Sequence, residues 1–156
     1  VAELLKDDPR PRWFSFTLDD ALNAQGKAQL RSGESITAAV AAATQLNAAA
    51  ILFNCSPPEV MSAALLEAGA QSNSALGIYA NAFEPSDQKR GANVGLSAMR
   101  RDTEPNNYLR WAQEWVAQGA SIVGGCCGIG PEHIHALSTA LVDADLAPAA
   151  QDALHV

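Results

Sequence analysis

Three residues carry the most direct chemistry this sequence offers: Cys55, Cys126 and Cys127, the three cysteines among its 156 residues. A lone cysteine is most often a small buried residue, and Cys55 taken singly reads that way. The adjacent pair reads differently. It stands in Gly124-Gly125-Cys126-Cys127-Gly128, where glycine lets the backbone turn both sulfurs to one point and approach a ligand closely. Three thiolates with a fourth position left for substrate make a tetrahedral zinc arrangement, with Zn–S near about 2.3 Å. Two other readings stay open. His133, at the start of a helix, is the nearest candidate for a fourth ligand that would close the site, although it and His135 also suit a solvent-facing helix end. The vicinal pair can also form a reversible disulfide, as in a thiol redox protein, but that bond is strained and no Cys-x-x-Cys spacing is present.

Composition narrows the setting. An odd number of cysteines without secretory features argues for metal or reactive thiols over a disulfide framework. Seventeen acidic residues against ten basic ones give a net charge of -7. No window gathers Lys and Arg, so a nucleic-acid partner is not expected. No apolar run approaches the roughly 20 residues that span a bilayer, and the N-terminus lacks a basic leader region, so the expectation is a cytoplasmic protein with no membrane partner. With 48% hydrophobic and 17% charged residues, residues 1–156 read as a single unit with one core.

The elements that must position the cysteines follow from punctuation and periodicity. Trp13 to Thr17 is a short aromatic and β-branched run, which predicts a strand ending near Ser15 and Thr17. Asp19 to Gly33 is polar, and Ser35 is placed to cap an Ala-rich helix over Ile36 to Leu46. Ala48 to Phe53 is a continuous apolar run, followed by Asn54-Cys55 and a helix with Pro58 and Glu59 in its first turn. Leu76 to Tyr79 predicts a third strand, Pro105 to Gln118 a helix, Ala120 to Val123 a fourth strand and Pro131 the start of a last helix. The long loop between, Asn81 to Glu104, is expected to be functional. Val1 to Pro9 reads as the tail of a helix, as if the chain began partway through a larger architecture. Strands alternating with helices predict parallel βαβ units, either a doubly wound sheet or part of a (β/α)8 barrel. Both put their chemistry at the C-terminal ends of the strands, where all three cysteines lie.

At this point the residues resemble a family. GGCCGIGPEHIHAL is similar to the zinc-ligand strand of the homocysteine S-methyltransferases, and AAILFNCSPPEV to their earlier ligand strand, in which Asn precedes the first Cys. WFSFT, Tyr79-Ala80-Asn81, and the Trp111 and Trp115 helix leading into ASIVGGCC resemble the same family in the same order. The resemblance runs from Trp13 to Leu137. It implies a (β/α)8 TIM barrel of which this chain supplies the C-terminal half, strands five to eight. The first four strands, with the family's early Asp-Gly segment and an acidic residue of the fourth strand, are not in this sequence. One segment departs: the family commonly has Tyr-Pro-Asn-Ser-Gly-Glu where this chain has Tyr79-Ala80-Asn81-Ala82-Phe83-Glu84.

The implied activity is transfer of a methyl group from a cationic donor, of S-methylmethionine or betaine type, to the thiol of homocysteine, giving methionine. The implied cofactor is Zn2+ on Cys55, Cys126 and Cys127. Homocysteine needs such help because its thiol is mostly protonated near neutral pH, whereas the thiolate is the nucleophile. Asn54, Ser15 and Asn81 are candidate substrate-binding residues, with loop capping as their plainer role. Trp13, Phe53 and Tyr79 can offer a cation–π face to the donor or pack in the core. Glu84 can pair with the donor's charge or stand solvated. The expected partners are homocysteine, a small methyl donor, and either a second copy or the missing N-terminal half. The competing classes are a zinc-binding remnant without catalysis and the thiol redox protein.

Overall fold

The computed structural model describes residues 7–84 and 98–142. All but the last three residues of the expected helix tail over 1–9, and the middle of the long loop over 81–104, lie outside them. Four strands, β1 (Arg12–Thr17), β2 (Ala48–Asn54), β3 (Ala75–Tyr79) and β4 (Ile122–Val123), form one sheet in the order β1-β2-β3-β4. All three pairings are parallel. The order runs without reversal, which sets it apart from a doubly wound sheet, where strand order turns back at a switch point. Between and after the strands lie α1 (Ile36–Gln45), α2 (Pro58–Gly69), α3 (Pro105–Ala117) and α4 (Pro131–Val142), with a short 3-10 turn at Arg101–Thr103 before α3.

The local chemistry explains these boundaries. Ser35 is the N-cap of α1, its side chain accepting from the Ala38 N–H at 3.1 Å, and Asn47 ends that unit in the left-handed region at φ 54°, which asparagine tolerates. Proline opens α2, α3 and α4, where its missing N–H has no intrahelical partner to lose. β4 is shorter than Ala120–Val123 because the Ala120 N–H is taken by the end of α3, bonding Trp115 O at 2.9 Å. Ser121 and Gly124 still donate to Leu76 O and Ile78 O of β3 at 2.9 and 3.0 Å. The polar stretch after β1 is more than a connector. Leu18, Ala28 and Leu30 in it are buried, and Asp19 N and Arg31 N bond Gln29 O and Thr17 O at 2.9 and 3.0 Å.

Strand register sorts the side chains onto two faces. Phe14, Ile51 and Leu76 share one level, and Phe16, Phe53 and Ile78 the next; they pack into the core with Val40, Met61, Leu65, Tyr108 and Trp115 of the helices. Each fully buried large side chain there contributes about 1.5–3 kcal/mol. The opposite face carries Trp13 beside Ala50, Ser15 beside Leu52 and Gly77, and Asn54 beside Tyr79. It is open: Trp13 is 58% exposed, and an open groove of about 390 Å3 lies among Trp13, Ser15, Leu52, Tyr79, Ile122, Val123, Gly124 and Gly125.

Candidate metal centre

Each cysteine follows a strand at its C-terminal end, and β3, which lies between β2 and β4, holds both cysteine loops through the segment beyond it. Cys55 takes a left-handed backbone, φ 50°, rare for a residue with a Cβ. Its N–H donates to Tyr79 O at 3.0 Å, and its carbonyl accepts from Asn81 Nδ2 at 3.0 Å. On the other side Cys126 N donates to Ala80 O, and Ala82 N to Cys127 O, both at 2.9 Å. The turn between the pair and α4 depends on two glycines. A Cβ on Gly125 would stand 2.1 Å from Ile129 Cγ2, and Gly128 sits at φ 81° with Ala82 Cβ 2.9 Å from where its own Cβ would be.

The three sulfurs converge. Cys55 Sγ and Cys127 Sγ are 3.6 Å apart, Cys126 Sγ and Cys127 Sγ 3.9 Å, and all three lie within 4.8 Å of one another. Sulfurs around a tetrahedral zinc should be about 3.8 Å apart, so the donor set and its spacing fit that ion. All three are free thiols. Cys55 and Cys126 are half-buried and Cys127 is exposed, which leaves one side of the cluster open. Burial, then the hydrogen bond with Cys126, pushes the Cys55 thiol above its usual value. A divalent cation among the sulfurs would reverse that balance, because a coordinating thiol gives up its proton.

The remaining predicted residues separate into those at the level of the cysteines and those away from it. Asn54 and Tyr79 are register partners at the top of the sheet. Asn54 Oδ1 accepts from Thr17 Oγ1 at 3.1 Å, and the Tyr79 hydroxyl is hydrogen-bonded to that of Ser15. Asn81 has the capping role: besides gripping the Cys55 carbonyl, its Oδ1 accepts from Phe83 N at 3.1 Å. Trp13 lies on the open face but pairs with Ala50, four residues before Asn54, which at about 3.3 Å per residue is about 13 Å below the cysteines. Phe53 is wholly buried against the helices, so it offers no face to a ligand. Glu84 is exposed, as is His135.

His133 is neither a ligand nor solvent-facing. It is 8% exposed, its Nδ1 accepts from Gly130 N at 3.1 Å, and its Nε2 lies 2.8 Å from Thr103 O. With Nδ1 accepting, Nε2 carries the proton and donates to that carbonyl, so both ring nitrogens are engaged.

Two supporting residues escaped the sequence reading. Ser56 is fully buried; its Oγ accepts from Leu18 N at 2.9 Å and lies 3.0 Å from Leu18 O, tying the end of β1 to the Cys55 loop. Tyr108 is fully buried and donates to Gly124 O at 2.8 Å, fixing the start of the double-cysteine turn. Burial pushes its phenol well above the usual value. Only its place at i, i+4 and i+7 with Ala112 and Trp115 marked it in the sequence, and that pattern signals core.

A family model described as homocysteine S-methyltransferase matches residues 1–141 of the chain. The selenocysteine Se-methyltransferase of Brassica oleracea var. italica is 29% identical over 144 residues, covering 90% of this chain and 39% of that protein. Homocysteine S-methyltransferase 2 of Arabidopsis thaliana is 28% identical, covering 91% and 40%. Among solved structures, the metallated form of the homocysteine methyltransferase MmuM from Escherichia coli superposes with a TM-score of 0.61 at 28% identity, covering 89% of this chain and 39% of that one. The chain thus spans about two fifths of the length of these relatives.

Proposed function

Because this chain belongs to the homocysteine S-methyltransferase family, whose model matches residues 1–141, we propose that it forms the C-terminal half, strands five to eight, of a (β/α)8 barrel that methylates homocysteine to methionine. In this reading Cys55, Cys126 and Cys127 hold a zinc ion, and the methyl donor is cationic, of S-methylmethionine or betaine type. The observation that carries it is the convergence of the three sulfurs at 3.6 and 3.9 Å.

A zinc ion held there would favour the thiolate of homocysteine over its thiol near neutral pH. The chain's own residues do the rest. Three cysteinates against a doubly charged ion leave a net negative centre, which attracts a cationic donor and keeps the accepting sulfur electron-rich. Asn81 and Tyr108 hold the two cysteine turns through the Cys55 and Gly124 carbonyls. Tyr79, with its hydroxyl fixed by Ser15, presents an aromatic face at the level of the cysteines. Asn54, oriented by Thr17, stands beside Cys55 for the amino acid substrate. A cytoplasmic location suits this chemistry, since it needs reduced thiols. The open face and edges of the sheet would be closed by the other strands of the barrel or by a second copy.

The test is methionine formation from homocysteine and either donor by zinc-loaded protein, alone and supplemented with the N-terminal barrel half of a relative. Turnover by the completed barrel that disappears in Cys127→Ala supports the proposal. A completed, zinc-loaded barrel that methylates homocysteine with neither donor refutes it and leaves the zinc-binding remnant.

A further inference from the structure

A three-sulfur site assembled from two loops is only as good as the spacing between the loops. Cys55 leads into α2 and Cys126-Cys127 lead into α4, with the β3 loop between them. One residue at the far end of that loop is linked to both, to the double-cysteine turn through its backbone and to α2 through its side chain. The Arg100 N–H donates to Ala82 O at 2.9 Å, and the Ala82 N–H in turn donates to Cys127 O at 2.9 Å. Its guanidinium spans Glu59 and Asp102. Nη1 donates to Glu59 Oε2 at 2.8 Å and Nη2 to Glu59 Oε1, while Nε and Nη2 donate to Asp102 Oδ1 and Oδ2 at 2.9 and 2.5 Å. Glu59 lies in the first turn of α2, just past Cys55. Asp102 lies in the 3-10 turn, where the Thr103 carbonyl accepts from His133 at the start of α4.

The clamp is built as a structural joint. The Arg100 side chain is only 11% exposed, so its charge is compensated by the two carboxylates on either side of it. Only a planar fork with five donors can engage two carboxylates side-on; a lysine would meet them as a point charge. Glu59 is held below the usual carboxylate range: burial, the largest single influence, pushes it up, and the Arg100 hydrogen bonds, a backbone N–H and the Arg100 charge together outweigh it. Arg100 touches no sulfur.

We propose that Arg100 is a positioning residue for the metal centre, its grip on Glu59 and Asp102 fixing the distance between the Cys55 loop and the Cys126-Cys127 turn and thereby setting zinc affinity. This rests on the zinc reading above and adds to it which residue sets the strength of the site. Groups that orient ligands without touching the metal typically change affinity about 10- to 100-fold when removed, and that is the size of effect expected.

The test compares the parent chain with Arg100→Ala, Arg100→Lys, Glu59→Gln and, as a control, Arg10→Ala, whose exposed ion pair is with Asp8. Zinc affinity is read by competition with a chromophoric chelator, thermal midpoints on the metal-free proteins, and ligand number from thiolate-to-cobalt absorption of cobalt-saturated proteins. Arg100→Ala and Glu59→Gln should bind zinc about 10- to 100-fold more weakly with the cobalt spectrum at saturation unchanged. Arg100→Lys should recover only part of the loss, and Arg10→Ala should match the parent. A lowered thermal midpoint with unchanged zinc affinity in the Arg100 variants would make the clamp merely structural and overturn the inference. Should Arg100→Ala not fold, Glu59→Gln and Asp102→Asn carry the same comparison. A parent that binds zinc equally well without Cys127 would sink the zinc reading itself, and the inference with it.

Discussion

Replacing Gly128 by alanine tests how tightly the double-cysteine turn is built, because the structure separates two costs that usually arrive together. Gly128 and Gly26 both sit in the left-handed region, at φ 81° and 71°, where a Cβ costs about 1–2 kcal/mol. Around Gly26 nothing lies within 4 Å of an added Cβ, whereas at Gly128 the Cβ of Ala82 would be 2.9 Å away. Ala82 has no rotamer with which to yield, and its N–H is bonded to Cys127 O, so relief requires the β3 loop and the cysteine turn to separate. Overpacking of that kind costs about 1–3 kcal/mol. Gly26→Ala should therefore lower the urea-unfolding free energy by about 1–2 kcal/mol and Gly128→Ala by about 2–5 kcal/mol. Measured on metal-free protein and followed by zinc competition, Gly26→Ala should bind zinc like the parent and Gly128→Ala more weakly. Equal losses of stability, or an undisturbed metal affinity in Gly128→Ala, would refute the reasoning.

Other outcomes follow from the same geometry. Zinc should bind at one ion per chain, and Cys55→Ala, Cys126→Ala and Cys127→Ala should each abolish tight binding in a chelator competition, since each removes a bond and a charge from the only cluster of its kind among the described residues. Stability should fall on acidification: Arg100 holds Asp102 and Glu59 below their usual values of 3.8 and 4.5, so their contribution is present above those values and lost as pH falls through the folded ones. Urea midpoints recorded downward from about pH 5 should decline less steeply in Arg100→Ala, which has no such contribution to lose. The open sheet face, and the edges of β1 and β4 that pair with no further strand among the described residues, should drive association. The solution mass of the parent should exceed that of a monomer, and Trp13→Glu should lower it; a monomeric parent would show that the exposed face needs no cover.

The sequence made the elements and the cysteines legible because both rest on local signals. Ser35, the prolines at 58, 105 and 131, and the glycines around Cys126 and Cys127 are read by nearest-neighbour chemistry, and alternation then predicts a parallel sheet, whereas its unreversed order comes from the structure. What stayed hidden depends on contacts between distant segments. His133 looks like a ligand or a surface residue until Thr103 and Gly130 are seen to occupy its two nitrogens. Phe53 and Trp13 are both aromatic residues on strands, and only register puts one against the helices and the other low on the open face. Arg100 and Glu59 are 41 residues apart, with nothing in either neighbourhood to pair them.

Zinc K-edge X-ray absorption on the zinc-loaded chain addresses the metal assignment most directly. Three sulfur scatterers at about 2.3 Å and one lighter ligand are expected in the parent, with one sulfur lost in any Cys126→Ala protein that still retains metal. A first shell with two or fewer sulfurs, or a histidine nitrogen in place of one, would contradict the three-cysteine centre.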